Sequence, residues 1–169
     1  MIYEVRTYTL KPGGVPQFEA NFADALPHRE KYSKLAAFWH TEIGPLNQSM
    51  HLWAYEDLND RAAKKAKLAQ NQRWRSEYLP PVRAEILRQD VRLMTAIVPP
   101  KSPKATGNIY EFRNYRLRPG CAPTWCAAFT DVLRVREKYS KIVGLWHTDA
   151  GQPNEVCHIW AYQDLTSRA

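Results

Sequence analysis

The chain has 169 residues, 44% of them hydrophobic and 12% aromatic, and carries a net charge of +7. That hydrophobic share supports a buried core and excludes a disordered chain, and no apolar run approaches the length that spans a bilayer. The basic surplus points to anionic ligands or nucleic acid without choosing between them.

Met1 leads straight into a strand-like stretch, with no apolar signal core or Arg/Ser-rich transit segment, so a soluble, cytoplasmic protein is expected. Residues 2–10 mix β-branched and aromatic types and stop at Lys11-Pro12-Gly13-Gly14, which marks a first strand. Pro16 suits a first helical turn, and Phe18, Phe22 and Leu26 then follow at helical spacing, predicting a helix to about Lys34. A second strand covers 35–43, Gly44-Pro45-Leu46-Asn47 turns the chain, and a third strand covers 48–57. Polar cap candidates in Leu58-Asn59-Asp60 open a helix through Tyr78, which Pro80-Pro81 is expected to end. Ile86 to Val98 completes the set as a fourth strand. This β-α-β-β-α-β order is the ferredoxin-like split βαβ.

Residues 99–108, with three prolines and Gly107, form a linker. Beyond it the first module starts again: residues 2–62 fall on 109–169 without a gap, roughly half of the pairs being identical. Arg29-Glu30-Lys31-Tyr32-Ser33-Lys34 recurs whole as Arg136 to Lys141, and Trp39-His40-Thr41 as Trp146-His147-Thr148. The expected organisation is therefore a module over 1–98, the linker 99–108, and a second module over 109–169 cut short before its second helix. Three cysteines, Cys121, Cys126 and Cys157, lack zinc or disulfide spacing and fit a reducing compartment.

Strand alternation sorts side chains onto two faces. Met50, Leu52 and Ala54 with Tyr3 and Val5 are the apolar set, expected under the helices. His51, Trp53 and Tyr55 with Glu4, Arg6 and Tyr8 are the polar-aromatic set, expected on the opposite face. A four-residue turn at 44–47 would place His40 opposite His51, and a turn one residue longer or shorter would send Trp39 to that face instead. Two duplicated sheets with polar-aromatic faces inward would close an α+β barrel around a ligand. In the second copy, Cys157, Ile159 and Ala161 would lose the cover of the missing helix and leave an apolar patch, so either a homo-oligomer is expected to cover it or the sequence is a piece of a longer protein.

The stretch Trp39-His40-Thr41-Glu42-Ile43-Gly44, Leu46-Asn47-Gln48, His51-Leu52-Trp53-Ala54-Tyr55 and Arg61, with the opening Ile2-Tyr3-Glu4-Val5-Arg6-Thr7-Tyr8, resembles the NIPSNAP family. The second copy departs at Gly151-Gln152-Pro153-Asn154-Glu155 but keeps His158, Trp160 and Tyr162. The resemblance implies a dimeric α+β barrel built from paired modules. It supplies no agreed reaction, and related barrels include cofactor-free monooxygenases and haem-binding enzymes.

The chemistry stays open between several readings. His40, His51 and Tyr55 are acid–base candidates for an oxygenase- or isomerase-like reaction on a small aromatic or acidic molecule. Arg6, Tyr8, Trp53, Arg113, Tyr115, His147, His158, Trp160 and Tyr162 are candidates for binding it. No cofactor and no metal is expected; the alternative is haem or a divalent ion on His40 with His51, or His147 with His158, joined by Glu42 or Asp149. Against that stand buried histidines that merely satisfy hydrogen bonds, and an Arg6 that pairs with Glu4. A non-enzymatic scaffold or sensor is the second class. Nucleic-acid binding is the third, since RNA-recognition modules share the strand order, but the third strand lacks their Lys/Arg-Gly-aromatic signature. The basic run Arg61 to Arg75 reads as a solvated helix face.

Overall fold

The computed structural model describes residues 1–102 and 109–169. Of the expected linker, 99–102 has no regular structure and the rest lies outside the described residues. The chain divides into two units, Met1–Arg92 and Leu93–Ala169. Both are α+β; the first has the ferredoxin-like strand order, and the second repeats the part of it made by the first three strands.

In the first unit, β1 (Ile2–Leu10) is followed by helix α1 (Val15–Arg29), β2 (Leu35–His40) and β3 (Gln48–Tyr55). Helix α2 (Leu58–Gln70), a π-helical turn (Trp74–Tyr78), α3 (Leu79–Ala84) and the start of β4 (Ile86–Val98) complete it. The strands lie in the order β2-β3-β1-β4, with β1 and β3 antiparallel from Ile2↔Tyr55 to Thr9↔Gln48. Gly13, at φ 75°, makes the turn before α1, and Pro16 occupies the helix's first turn. The helix stops at Arg29 instead of reaching Lys34. Glu30 caps it, and the next residues form turns back to Arg29.

Asp57 caps α2 by accepting from the Asp60 amide at 2.8 Å, one residue before the expected cap candidates. Asn71, with ψ 113°, breaks the helix, and its side-chain oxygen accepts from the Trp74 amide at 2.9 Å to start the next turn. Pro80 and Pro81 do not end a helix. They sit in the first turn of α3, where a missing N–H costs nothing.

The second unit takes β4 from Leu93, then β5 (Ile109–Arg116), α4 (Ala122–Arg136), β6 (Lys141–Ala150), β7 (Glu155–Tyr162) and a short α5 (Leu165–Arg168). Its order is β4-β6-β7-β5, and Asp164 caps α5 as Asp57 caps α2. No helix among the described residues is long and apolar enough to cross a membrane.

Which sheet face the helices cover is the main correction. Tyr8, Leu10, Phe18, Ala25 and Val82 form one core cluster, with Phe22, Phe38 and Trp74 packed on it. Trp160 and Tyr162 join Leu145 in the other, beneath Trp125 and Phe129. The polar-aromatic face therefore lies under each unit's own helices. Alternation defines two faces but not which is covered, and here α1 and α2 offer aromatic rings and basic side chains that match a mixed face. Cys157, Ile159 and Ala161 are themselves buried, so the expected exposed patch is not found at these residues.

One glycine has no room for a side chain. A Cβ at Gly144 would lie 2.2, 2.6 and 2.8 Å from ring carbons of Trp146, which is fully buried. Gly144→Ala is expected to lower stability by about 3 kcal/mol through overpacking. An unfolding free energy from urea titration within about 0.5 kcal/mol of wild type would show instead that the indole moves freely.

Candidate functional site

The first unit's covered face is organised around Glu4, fully buried on β1. Its carboxylate accepts from Arg6 Nη1 at 2.8 Å and from Arg61 Nε of α2, with Lys65 Nζ at 3.7 Å. Burial alone would raise its pKa, but the hydrogen bond and charge of Arg6, helped by Lys65 and Arg61, hold it below the ordinary carboxylate value. Three cations against one anion leave surplus positive charge. Arg61 and Lys65 thus turn inward, whereas Arg73 stays on the surface with Glu77; the basic run is only partly a solvated face.

Arg29 is buried at the end of α1. Its Nη1 donates to Ser33 Oγ, its Nη2 donates to the Tyr55 hydroxyl at 3.0 Å, and its plane lies 4.4 Å above the Trp53 ring. Among the described residues no carboxylate pairs with it. A buried guanidinium with only neutral partners is costly unless an anion joins it.

His51 stands beside it on β3. Its Nδ1 accepts from Trp53 Nε1 at 2.6 Å, and its Nε2 has no partner among the described residues. The ring packs edge-on to Tyr8 with centroids 4.8 Å apart, and against Phe22 at 5.1 Å. Desolvation, then the charges of Arg6 and Arg29, push its pKa well below 6.5. It is neutral at physiological pH. Leaving a buried N–H unpaired costs roughly 1–3 kcal/mol, so the orphan asks for an explanation.

These groups border a cavity of about 500 Å³ between the sheet and the helices of this unit, within the usual range for small-molecule sites. The sheet contributes Glu4, Arg6, Tyr8, His51 and Trp53 to the lining, α1 contributes Phe22 and Arg29, and the later helices contribute Lys65, Trp74, Arg75 and Arg83. The lining holds one carboxylate against five basic side chains.

The second unit repeats the pattern in a more open form. Trp160 Nε1 donates to His158 Nδ1 at 2.7 Å, the His158 Nε2 has no partner among the described residues, and Arg136 donates to the Tyr162 hydroxyl at 3.3 Å. Glu111 accepts from Arg113 at 3.0 Å and Arg168 at 2.6 Å. Its side chain is 21% exposed where that of Glu4 is 1% exposed. Desolvation, then Arg113, lowers the His158 pKa to about 4.

Of the expected site residues, Arg6, Tyr8, His51 and Trp53 come together at the cavity, with Tyr55 on the same face beside Arg29. Arg113, Tyr115, His158, Trp160 and Tyr162 gather in the second unit: Tyr115 meets the His158 ring edge-on with centroids 5.0 Å apart. His40 is not opposite His51. The register is Phe38↔His51 and His40↔Ser49, because the Thr41 amide donates to the Gln48 carbonyl and the loop is six residues, 42–47, which shifts the pairing by two residues. His40 instead bridges Glu19 and Glu42 at 2.7 and 2.8 Å, and their hydrogen bonds outweigh desolvation to raise its pKa. His147 pairs with Val156 in the sheet and with Asp149 through its side chain, while Leu145 faces His158. Neither histidine pair converges as a two-ligand metal site requires. No group of three or more His, Cys, Asp or Glu able to hold a metal occurs among the described residues.

Arg29, Lys65, Trp74, Arg75 and Arg83 were not expected at the site. Only Arg29 left a signal, through the hexapeptide that recurs at Arg136.

Residues 3–99 and 110–169 each match the family model described as NIPSNAP. The human "Protein NipSnap homolog 3B" is 33% identical over 174 residues, spanning 99% of this chain and 69% of that protein. The human "Protein NipSnap homolog 3A" is 32% identical over 176 residues, spanning 100% and 70%. Among solved structures, a NIPSNAP family protein of unknown function from Agrobacterium tumefaciens is 35% identical with TM-score 0.53, covering 55% of this chain and 85% of its own. A putative monooxygenase from Fusobacterium nucleatum is 10% identical with TM-score 0.70, covering 99% of this chain and 77% of its own. At that identity the likeness concerns fold alone.

Proposed function

Because this chain belongs to the NIPSNAP family, whose sequence pattern falls on the covered sheet face, we propose that the module serves as a receptor for a small organic acid. The ligand sits in the first unit's cavity, its anionic group against Arg29 and its flat apolar part among Tyr8, Phe22, Trp53 and Trp74. The observation that carries this reading is the buried Arg29 guanidinium, bordering a cavity and paired with no carboxylate among the described residues. Guanidinium matches a carboxylate in a two-pronged geometry, and the aromatic walls suit a ring.

An oxygenase- or isomerase-like reaction on the bound acid is the enzymatic extension of this proposal. Whole-chain structural neighbours that are putative monooxygenases, from Lactobacillus acidophilus and Fusobacterium nucleatum, support it through fold only.

Titration calorimetry with benzoate, a flat aromatic carboxylate, tests the binding role. Saturable 1:1 binding is expected, weakened tenfold or more by Arg29→Met and little changed by Arg73→Met on the surface. Equal loss in both variants would mean nonspecific charge attraction, and no saturable binding would remove the proposal.

A further inference from the structure

Two nitrogens define what His51 can do. The Trp53 indole N–H is donor-only, and at 2.6 Å it donates to His51 Nδ1. Nδ1 must therefore present a lone pair, and the proton of the neutral ring sits on Nε2. That Nε2 belongs to a residue only 3% exposed, has no partner among the described residues, and is part of a ring bordering the cavity. Tyr8 and Phe22 pack on the ring by their own rings.

We propose that His51, held by Trp53 in the Nε2-protonated tautomer, is a neutral hydrogen-bond donor to an unprotonated oxygen of the bound acid. This rests on the binding role above and sharpens it. The ligand class becomes one that presents a carboxylate, carbonyl or enolate oxygen to His51. Trp53 is a positioning residue: it touches the histidine and fixes where its proton resides. Arg6 and Arg29 line the same cavity as His51, so an oxygen carrying negative charge is favoured there over a neutral one. A protonated hydroxyl directed at Nε2 would find no lone pair. The role is thus donation, and not the base role that a free imidazole suggests.

The arrangement is built twice. His158 and Trp160 repeat the hydrogen bond at 2.7 Å, with Nε2 again without a partner among the described residues, although Trp125 replaces Phe18 and Leu145 replaces Phe38 around them. A chance contact of one crowded indole would not reappear when its neighbours change.

The test uses the whole chain labelled with 15N at its five histidines. Two-bond 1H–15N correlation spectra of the ligand-free protein are expected to show His51 protonated on Nε2 and bare on Nδ1. On adding benzoate, its Nε2–H signal should move with the same saturation as the calorimetric titration. Trp53→Phe should give a mixture of tautomers and a threefold or larger loss of benzoate affinity, and His51→Phe at least a tenfold loss. A His51 found protonated on Nδ1 overturns the proposal in wild-type protein, whatever the variants do. Benzoate that binds by calorimetry while the Nε2–H signal stays still also overturns it, and then the N–H lies against a ring face while the binding role stands. Benzoate that does not bind at all removes both.

Discussion

Glu4→Gln is expected to destabilise the protein by about 3–5 kcal/mol, measured by urea unfolding at pH 7.5, whereas Glu111→Gln costs about 1 kcal/mol or less. The two residues hold the same position in the repeat and differ in surroundings. Glu4 is sealed beneath α2, 1% exposed, with Arg6, Arg61 and Lys65 converging on it. Its amide replacement keeps the shape but leaves those cations facing one another without a counter-charge. Glu111 is 21% exposed, and water screens Arg113 and Arg168 in its absence. Equal costs would mean that α2 does not seal the first unit's site as the geometry indicates.

Acidification from pH 7.5 to pH 4 should remove about 3 kcal/mol of stability through His158 alone. Its folded pKa is about 4 against 6.5 unfolded. Below pH 6.5 the unfolded chain takes up a proton that the folded chain refuses, so stability falls at about 1.4 kcal/mol per pH unit until the folded value is reached. His51, displaced in the same direction, adds to the loss. Glu4 and Glu111, held below the ordinary carboxylate value, extend it at lower pH, since their contribution is present above the unfolded pKa and lost as they protonate. His40 works the other way, gaining on protonation between Glu19 and Glu42, but its side chain is 38% exposed and the effect is small. Urea midpoints measured across this range should slope downward from about pH 6.5, and His158→Phe should flatten part of that slope. A flat wild-type profile would show that His158 protonates freely when folded.

The repeat, the α+β class and the strand succession are legible in the residues themselves; β1 and β4 appear at Ile2–Leu10 and Ile86–Val98 as their composition indicates. Helix ends were less legible, because Asn71 and the Pro80-Pro81 pair act through side-chain capping and first-turn geometry that a periodic pattern does not encode. The face assignment failed for a physical reason. Apolar side chains at Leu52 and polar ones at His51 both become buried, and only the partners on α1 and α2 decide which set meets the helices. His40 was placed opposite His51 by counting turn residues. Left-handed Gly44 (φ 107°) and Asn47 (φ 56°) instead carry a longer loop, which alone moves the register by two residues. For the site, His51, Trp53, Arg6 and Tyr8 were visible because they recur at matching positions. Lys65, Trp74, Arg75 and Arg83 lie outside the stretch 2–62 that pairs with 109–169, so no internal comparison could mark them.

A crystal structure of the protein grown with benzoate would decide where an organic acid goes. Density for one benzoate is expected in the first unit's cavity, its carboxylate on Arg29 and one oxygen within hydrogen-bonding reach of His51 Nε2. A cavity left without benzoate at concentrations that saturate the calorimetric titration, or benzoate seated only on surface arginines, would contradict a binding site on the helix-covered face.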